Sequence, residues 1–322
     1  MKPLKKSIYL RKLEALSKRI LQYNSSFPAV EKELISYKSG FRGEKSLEYY
    51  FTFLDEKNSL ILHDLRLPYK TNFFQMDVII LTLSFIYLLE VKNLIGNLEF
   101  DPDFHQLIRT YNEKVDIFSD PIQQGQRHIF QLKAWLTKMK FPSIPIESNV
   151  VITNPQARII TPTPRHSAYI IDHVIRSSKI EDKVRLLGQK YPHQVLQHQD
   201  MRKLSNRLIK SHTPQTKDIL EHFRIPRESI LKGVHCPNCS SLPMTRLWGA
   251  WHCSFCKHSS EDAHIAALND YALLIDTHIT NAQLRDFLQV PSIRCATYLL
   301  QSMNFPYTGT FRDRTYTLPL EE

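Results

Sequence analysis

Glycine is scarce: the 322 residues include only 8. Neither GxGxxG nor GxxxxGK[ST] occurs, so the glycine-rich turns that cradle nucleotide phosphates are excluded. Long apolar runs are missing as well. The longest, Val78 to Leu89, falls well short of the roughly 20 residues that a membrane-spanning helix needs. The opening segment, MKPLKKSIYLRKLEALSKRI, is basic but lacks the apolar stretch and small-residue cleavage site of a secretory leader. The expectation is a cytoplasmic protein with no membrane partner. Cysteines number 5, and four of them share one cluster with paired CxxC spacing, which suits a metal in a reducing compartment better than disulfides. There is no internal repeat and no low-complexity tract.

What the chain has in excess is positive charge. Its 42 Lys and Arg outweigh 32 Asp and Glu, giving a net +10 and an isoelectric point near 9.3. Such a balance points to a polyanionic partner, chiefly nucleic acid, with solubility alone as the plainer reading. With 42% hydrophobic residues the composition is globular, and the length calls for two or three domains.

Leu4 to Tyr23 reads as a helix, with Leu10, Leu13, Leu16 and Ile20 on one side. It is read as a packing helix rather than a DNA-binding arm. A second helix carries Leu47, Tyr50, Phe51 and Leu54, and SLILHDLRL follows as a strand. FQMDVIILTLSFIYLLEVKN obeys neither a period of 2 nor one of 3.6. Its richness in Ile, Val, Phe and Tyr favours two buried strands with a tight turn near Leu81 to Ser84. A buried helix of about 12 residues is the alternative. Short strands follow, and then Asp120-Pro121 opens a helix that places Gln124, His128 and Gln131 on one face. IESNVVITN supplies another core strand, so the pattern is an α/β sheet with at least one crossover.

Within the two-strand stretch, acids stand at Asp77 and Glu90, and Lys92 follows two residues after Glu90. Buried charges need partners. One reading is a strand end bearing a surface ion pair. The other is a site for a hard divalent cation, which takes carboxylate, carbonyl and water oxygens. Because strand side chains alternate, Glu90 and Lys92 share a face. The Val91 carbonyl is then a possible third oxygen ligand. Lys92 would sit beside an attacking water, to orient it or to stabilise charge on a phosphate.

The order of blocks GFRGE, ILHDLRL, FQMD, LLEVKNLIGNLEF and DPIQQ closely resembles the nuclease-related domain, NERD, of many bacterial proteins, a member of the PD-(D/E)xK nuclease-like superfamily. The resemblance runs from about Tyr37 to Asn154, and the leading helix is similar to the leader of Bacillus-type members. It implies a restriction-endonuclease-like α/β (α+β) core, with a mixed central sheet flanked by helices. It also implies that Asp77 and Glu90 bind Mg2+ or Mn2+ and that Lys92 is the catalytic lysine. Glu44 would complete the metal site or hold a second ion, and Gln124 would contact phosphate or the attacking water. Gln75 reads as a strand-face polar residue and His128 as a satisfied helix histidine. Three positions depart from the pattern: Met76 stands where proline is common, LTLSF has no glycine at the turn, and Asp120 replaces the usual asparagine.

HCPNCSSLPMTRLWGAWHCSFCKH brings Cys236, Cys239, Cys253 and Cys256 into two CxxC pairs, the signature of a structural four-cysteine Zn2+ ribbon. Arg246, Lys257, Trp248 and Trp251 lie around it and suit nucleic acid, with small-core packing an equal alternative for the tryptophans. Cys295 reads as a small core residue. In the last segment Thr280 or Asn281 caps a helix through Gln289, Ser292 caps another to about Met303, and YTGTFRDRTYTL alternates like a hairpin. That order resembles a winged helix-turn-helix, with Arg294, Arg312 and Arg314 placed for DNA, and a dimerisation module as the alternative.

The expected organisation is a basic helix over 1–36, a nuclease-like domain over 37–163 and a helical connector over 164–232. A zinc ribbon over 233–259 and a winged-helix-like module over 260–322 complete it. The expected activity is metal-dependent hydrolysis of DNA. The alternatives are a non-catalytic nucleic-acid-binding protein on the same fold and an RNA-processing nuclease.

Overall fold

A computed structural model describes residues 2–310 and 313–320. The chain forms two compact units, Met1–Lys6 with Ser36–Gln215 and Ser7–Ile35 with Thr216–Glu322. Helix α1 spans Ile8–Arg19, shorter at both ends than the periodicity suggests, and α2 spans Phe27–Ser46 across the boundary between the units. The first unit continues with α3 (Glu48–Phe51), β1 (Ser59–Tyr69), β2 (Asn72–Thr82), β3 (Ile86–Lys92), β4 (Gly96–Asp101), β5 (Gln106–Tyr111) and β6 (Lys114–Ser119). Then come α4 (Pro121–Lys138), β7 (Ile146–Ile152), β8 (Ala157–Ile160), α5 (Pro164–His173), β9 (Val174–Arg176), α6 (Ile180–Lys190) and α7 (His198–Lys210).

The main sheet of this unit runs β1-β2-β3-β7-β9. The first three strands are antiparallel, and β3, β7 and β9 are parallel, with α4 in the crossover from β3 to β7. On one face α4 and α7 pack Leu132, Trp135, Met201 and Leu204 against Leu62, Ile79 and Leu88. On the other, Leu47, Phe51, Ile180 and Leu187 cover Val78, Ile80, Tyr87 and Leu89. Every residue of β3 except Lys92 is buried, as befits a central strand covered on both sides. Residues 164–215, read from sequence as the start of a connector, thus supply an edge strand and core helices to this unit. A second sheet, β6-β5-β4-β8, adds Leu98, Phe100 and Leu107 to a cluster with Ile122 and Ile152.

The turn between β2 and β3 needs no glycine. Thr82 N–H donates to Phe85 O (3.0 Å), and the Thr82 hydroxyl accepts from Phe85 N–H (3.0 Å) while donating to Phe85 O (2.7 Å). The irregular period has its cause in the middle of β1 and β2. Their ladder pairs His63 with Val78 and Leu65 with Met76 but skips Asp64 and Asp77. Asp64 is left-handed, with φ 49°, a conformation that costs a non-glycine residue about 1 kcal/mol. Alternation slips there on both strands: Leu62 and Leu65, and likewise Met76 and Ile79, join the same cluster although each pair is three residues apart. Such interruptions re-aim side chains, and here they turn Asp77 out of the regular ladder.

The second unit holds α8 (Ile219–His222), β10 (Thr245–Leu247), β11 (Ala250–His252), β12 (Ser259–Ser260), α9 (Ala263–Leu274), β13 (His278–Thr280), α10 (Asn281–Leu288), α11 (Ile293–Ser302), β14 (Tyr307–Thr308) and β15 (Thr315–Thr317). Leu10, Leu13 and Leu16 of α1 are buried here, as expected of a packing helix. Arg19, 1% exposed, is paired with Asp270 (2.7 Å), lies over the Phe287 ring (4.7 Å) and donates to Leu231 O and Gly233 O. Thr280 and Gln283 form a capping box at α10, and Ser292 caps α11. Strands β13, β15 and β14 form a small sheet, so this part of the chain runs in the order helix, strand, helix, helix, hairpin. No helix among the described residues is long and apolar enough to cross a membrane.

Candidate active site and metal centre

Strands β2 and β3 build the first part of the site. Their ladder ends at Val78 opposite Leu89, and the next step of that register sets Asp77 opposite Glu90. Instead of a backbone carbonyl, the Asp77 carboxylate accepts the Val91 N–H (2.8 Å). In a strand a residue's N–H and C=O point to the same side. The Val91 carbonyl therefore also faces Asp77. Glu90 and Lys92 share a face of β3, and Lys92 Nζ lies 2.7 Å from Glu90 Oε1. Glu90 is 4% exposed and Lys92 27%, so the lysine forms the solvent side of the pair.

Two helices complete it, each seated by a glycine. Helix α4 starts at Asp120, whose carboxylate accepts from Ile122 N–H (2.8 Å) with Pro121 in the first turn. A Cβ on Gly125 would meet Ser148 Oγ of β7 at 2.8 Å, so at this approach a larger residue would force the serine side chain to shift. The approach brings Gln124 and Arg127 close enough to stabilise the Glu90 carboxylate, and it sets His128 Nδ1 3.8 Å from Glu90 Oε2. Helix α2 is held in the same way. A Cβ on Gly43 would meet Asn93 Cβ at 2.7 Å, and Asn93 donates to Ser39 O (2.9 Å) while Ser39 donates to Asn93 O (3.1 Å). The next residue, Glu44, thereby enters the field of Asp77, Asp64 and Glu90.

The electrostatics are those of crowded acids in a partly dry setting. Burial raises Glu44 to about 9, helped by Asp77, Asp64 and Glu90, and lowered only in part by Lys2. Burial and then Glu90 raise Asp77 to about 8, against the pull of Lys92 and the Val91 N–H. Glu90 is also raised by burial, although Lys92, Gln124 and Arg127 oppose this. Burial would lower Lys92, but Glu90 and Asp77 outweigh it and keep the ammonium firmly charged. Burial, Arg127 and Lys92 push His128 down to about 4, so a neutral imidazole faces Glu90. Acids in this state favour a proton or a cation, and the all-oxygen donor set suits a hard divalent ion.

Sulfur forms a separate centre in the second unit. The thiols of Cys236, Cys239, Cys253 and Cys256 all lie within 4.8 Å of one another, the one such group of three or more candidate ligands among the described residues. No three of Glu44, Asp64, Asp77 and Glu90 lie that close together. Cys236 to Cys256 and Cys239 to Cys253 are both 3.6 Å, too long for a disulfide. They are close to the roughly 3.8 Å edge of a tetrahedron with Zn–S bonds of about 2.3 Å. Each CxxC turn closes in the same way: Ser240 N–H donates to Cys236 O (2.8 Å) and Lys257 N–H to Cys253 O (3.1 Å). Ser240 and Lys257 take left-handed φ of 60° and 61°. The Asn238 amide, donating to Cys256 Sγ (3.6 Å), holds that thiol down at about 6.

The two tryptophans beside this cage part company. Trp251 is fully buried and donates to His264 Nδ1 (3.2 Å), whereas Trp248, at the tip of the β10-β11 hairpin, is 94% exposed. Of the basic residues, Arg246 lies over the Trp251 ring (5.3 Å) and donates to Glu261 O (3.1 Å). Lys257 donates to Ser254 O (2.8 Å), Arg294 is exposed on α11, and Arg314 covers the Tyr307 ring (4.4 Å). Arg312 lies outside the described residues.

Sequence reasoning missed Lys2, Asp64 and Arg127. Arg127 could have been found from its place three residues after Gln124, on the same helix face. Asp64 and Lys2 carry no local signal. Gln75, read as a plain strand residue, donates to Asp64 Oδ1 (2.5 Å), and His128 faces Glu90 rather than a helix partner. Residues 39–153 match the family model described as NERD, nuclease-related domain. No curated protein and no solved structure matches the chain.

Proposed function

We propose, from the premise that residues 39–153 form a nuclease-related domain, that the chain hydrolyses phosphodiester bonds of DNA using Mg2+ or Mn2+. One observation supports the reading: at the β2-β3 end the Asp77 carboxylate accepts the N–H of Val91, the residue between Glu90 and Lys92, and those two are paired at 2.7 Å. Asp77, Glu90 and the Val91 carbonyl would hold the cation, and Glu44 would complete its site or bind a second one. When bound, the ion polarises the phosphodiester and lowers the pKa of a water. Lys92, charged and on the open side, orients that water and stabilises negative charge on the phosphate. Gln124, on the α4 face above Glu90, contacts phosphate or the attacking water. The four thiols of Cys236, Cys239, Cys253 and Cys256 would hold a structural Zn2+ and leave no position open to substrate. Arg246, Lys257, Arg294 and Arg314 engage nucleic acid through the second unit.

The test is cleavage of plasmid and linear DNA by the purified chain, with Mg2+ or with EDTA. Cleavage needs the metal and falls at least 100-fold in Asp77→Ala and Lys92→Ala, while DNA binding persists. Equal cleavage by the variants sinks the catalytic assignment. DNA binding without cleavage makes the domain a non-catalytic binder, and cleavage confined to RNA moves the substrate to RNA.

A further inference from the structure

Successive carbonyls of a strand point in opposite directions. At the interruption in β1 they do not: Lys2 Nζ donates to His63 O (3.0 Å) and to Asp64 O (2.7 Å) at once. The left-handed Asp64 makes this possible by swinging its own carbonyl to the outer edge of β1, beside that of His63. Lys2 is fixed there by its backbone as well, since its carbonyl accepts His63 N–H (3.2 Å) and it bridges Leu62. The inner side of the same interruption belongs to the acids. Asp64, held by the Gln75 amide (2.5 Å), acts on both Glu44 and Asp77, and Lys2 is the cation that acts on Glu44.

We infer that Lys2 is a positioning residue of the candidate active site, a latch whose ammonium fixes the interruption of β1 at His63 and Asp64 and so sets Asp64, Asp77 and Glu44 for a divalent cation. The inference rests on the proposed metal site. It adds a residue that lies far outside the matched segment, 39–153. The interruption satisfies its two outward carbonyls with one ammonium. Without it those carbonyls turn back toward the ladder, Asp64 leaves the left-handed region, and Asp77 opposite loses its aim.

The experiment is Mn2+ titration by calorimetry of the unaltered chain, Lys2→Met, Lys2→Arg and Asp77→Ala, with a melting curve and amide hydrogen exchange for each. Lys2→Met is expected to weaken Mn2+ binding about tenfold and to speed exchange at Asp64 and Leu65. Its melting temperature should change by only a few degrees, and Lys2→Arg should restore most of the affinity. A residue that only supports the fold would move melting and leave the affinity alone. Lys2→Met with unchanged Mn2+ affinity, where Asp77→Ala has lost it, overturns the latch and leaves the metal site standing. Asp77→Ala with unchanged affinity overturns the metal site, and the latch falls with it.

Discussion

Asp77 and Glu44 show what a few carboxyl groups can do to the whole stability curve. Their ordinary values, 3.8 and 4.5, rise to about 8 and 9 in the folded chain, first through burial and then through neighbouring acids, Glu90 and Asp64 for Asp77, and Asp77, Asp64 and Glu90 for Glu44. A carboxyl raised on folding adds stability below its ordinary value, and that stability is lost as pH climbs through the folded value. In EDTA the melting temperature should therefore fall from pH 5 to pH 9, and Asp77→Asn should flatten the fall. Added Mn2+ replaces the protons, so the rise in melting temperature it gives should grow over the same range. Thermal melts across pH, with and without Mn2+, check both slopes. At this scale much was legible in the sequence. The alternation rule puts Glu90 and Lys92 on one face of their strand without coordinates, whereas Asp77, where alternation slips, stands out as an acid in a buried stretch and through the family resemblance. Asp64 and Lys2 were not legible, because their roles come from a left-handed backbone and a contact 62 residues away in sequence.

Among elements, α2 and α4 matter through how closely they approach their strands. Gly40 and Gly43 sit in the same helix, yet a Cβ at Gly40 meets nothing within 4 Å, while one at Gly43 collides with Asn93. Alanine improves helix propensity at either place by about 1 kcal/mol. At Gly43 overpacking costs about 1–3 kcal/mol and wins. Gly40→Ala should thus stabilise the chain and leave Mn2+ binding unchanged. Gly43→Ala should destabilise it and weaken Mn2+ binding by displacing Glu44. Chemical denaturation and calorimetry on the two variants decide it. The capped helices α4, α10 and α11 were readable from Asp120, Thr280 and Ser292. The two strands around Asp77 were ambiguous because the slip of alternation at Asp64 and Asp77 erases the period of 2 on which a strand is recognised. The roles of β9 and α7 stayed hidden for another reason: their short or polar segments owe their places to distant partners such as Val150 and Leu62.

On the scale of the molecule, the two units make different demands on metals. The first gathers hard oxygen donors, and all four clustered thiols belong to the second. The purified chain is expected to hold one zinc ion, measured by atomic emission, and to keep it when Mg2+ is removed by dialysis. The net charge of +10 says nothing of either centre, though it predicts a nucleic-acid affinity that weakens steeply with salt. The chain has three tryptophans, and their exposures are uneven: Trp135 is 3% exposed, Trp251 fully buried and Trp248 94% exposed. Fluorescence is thereby sorted by address. Iodide in the solvent should quench the hairpin tip alone, so the protein carries its own optical probe of whatever lands on that indole.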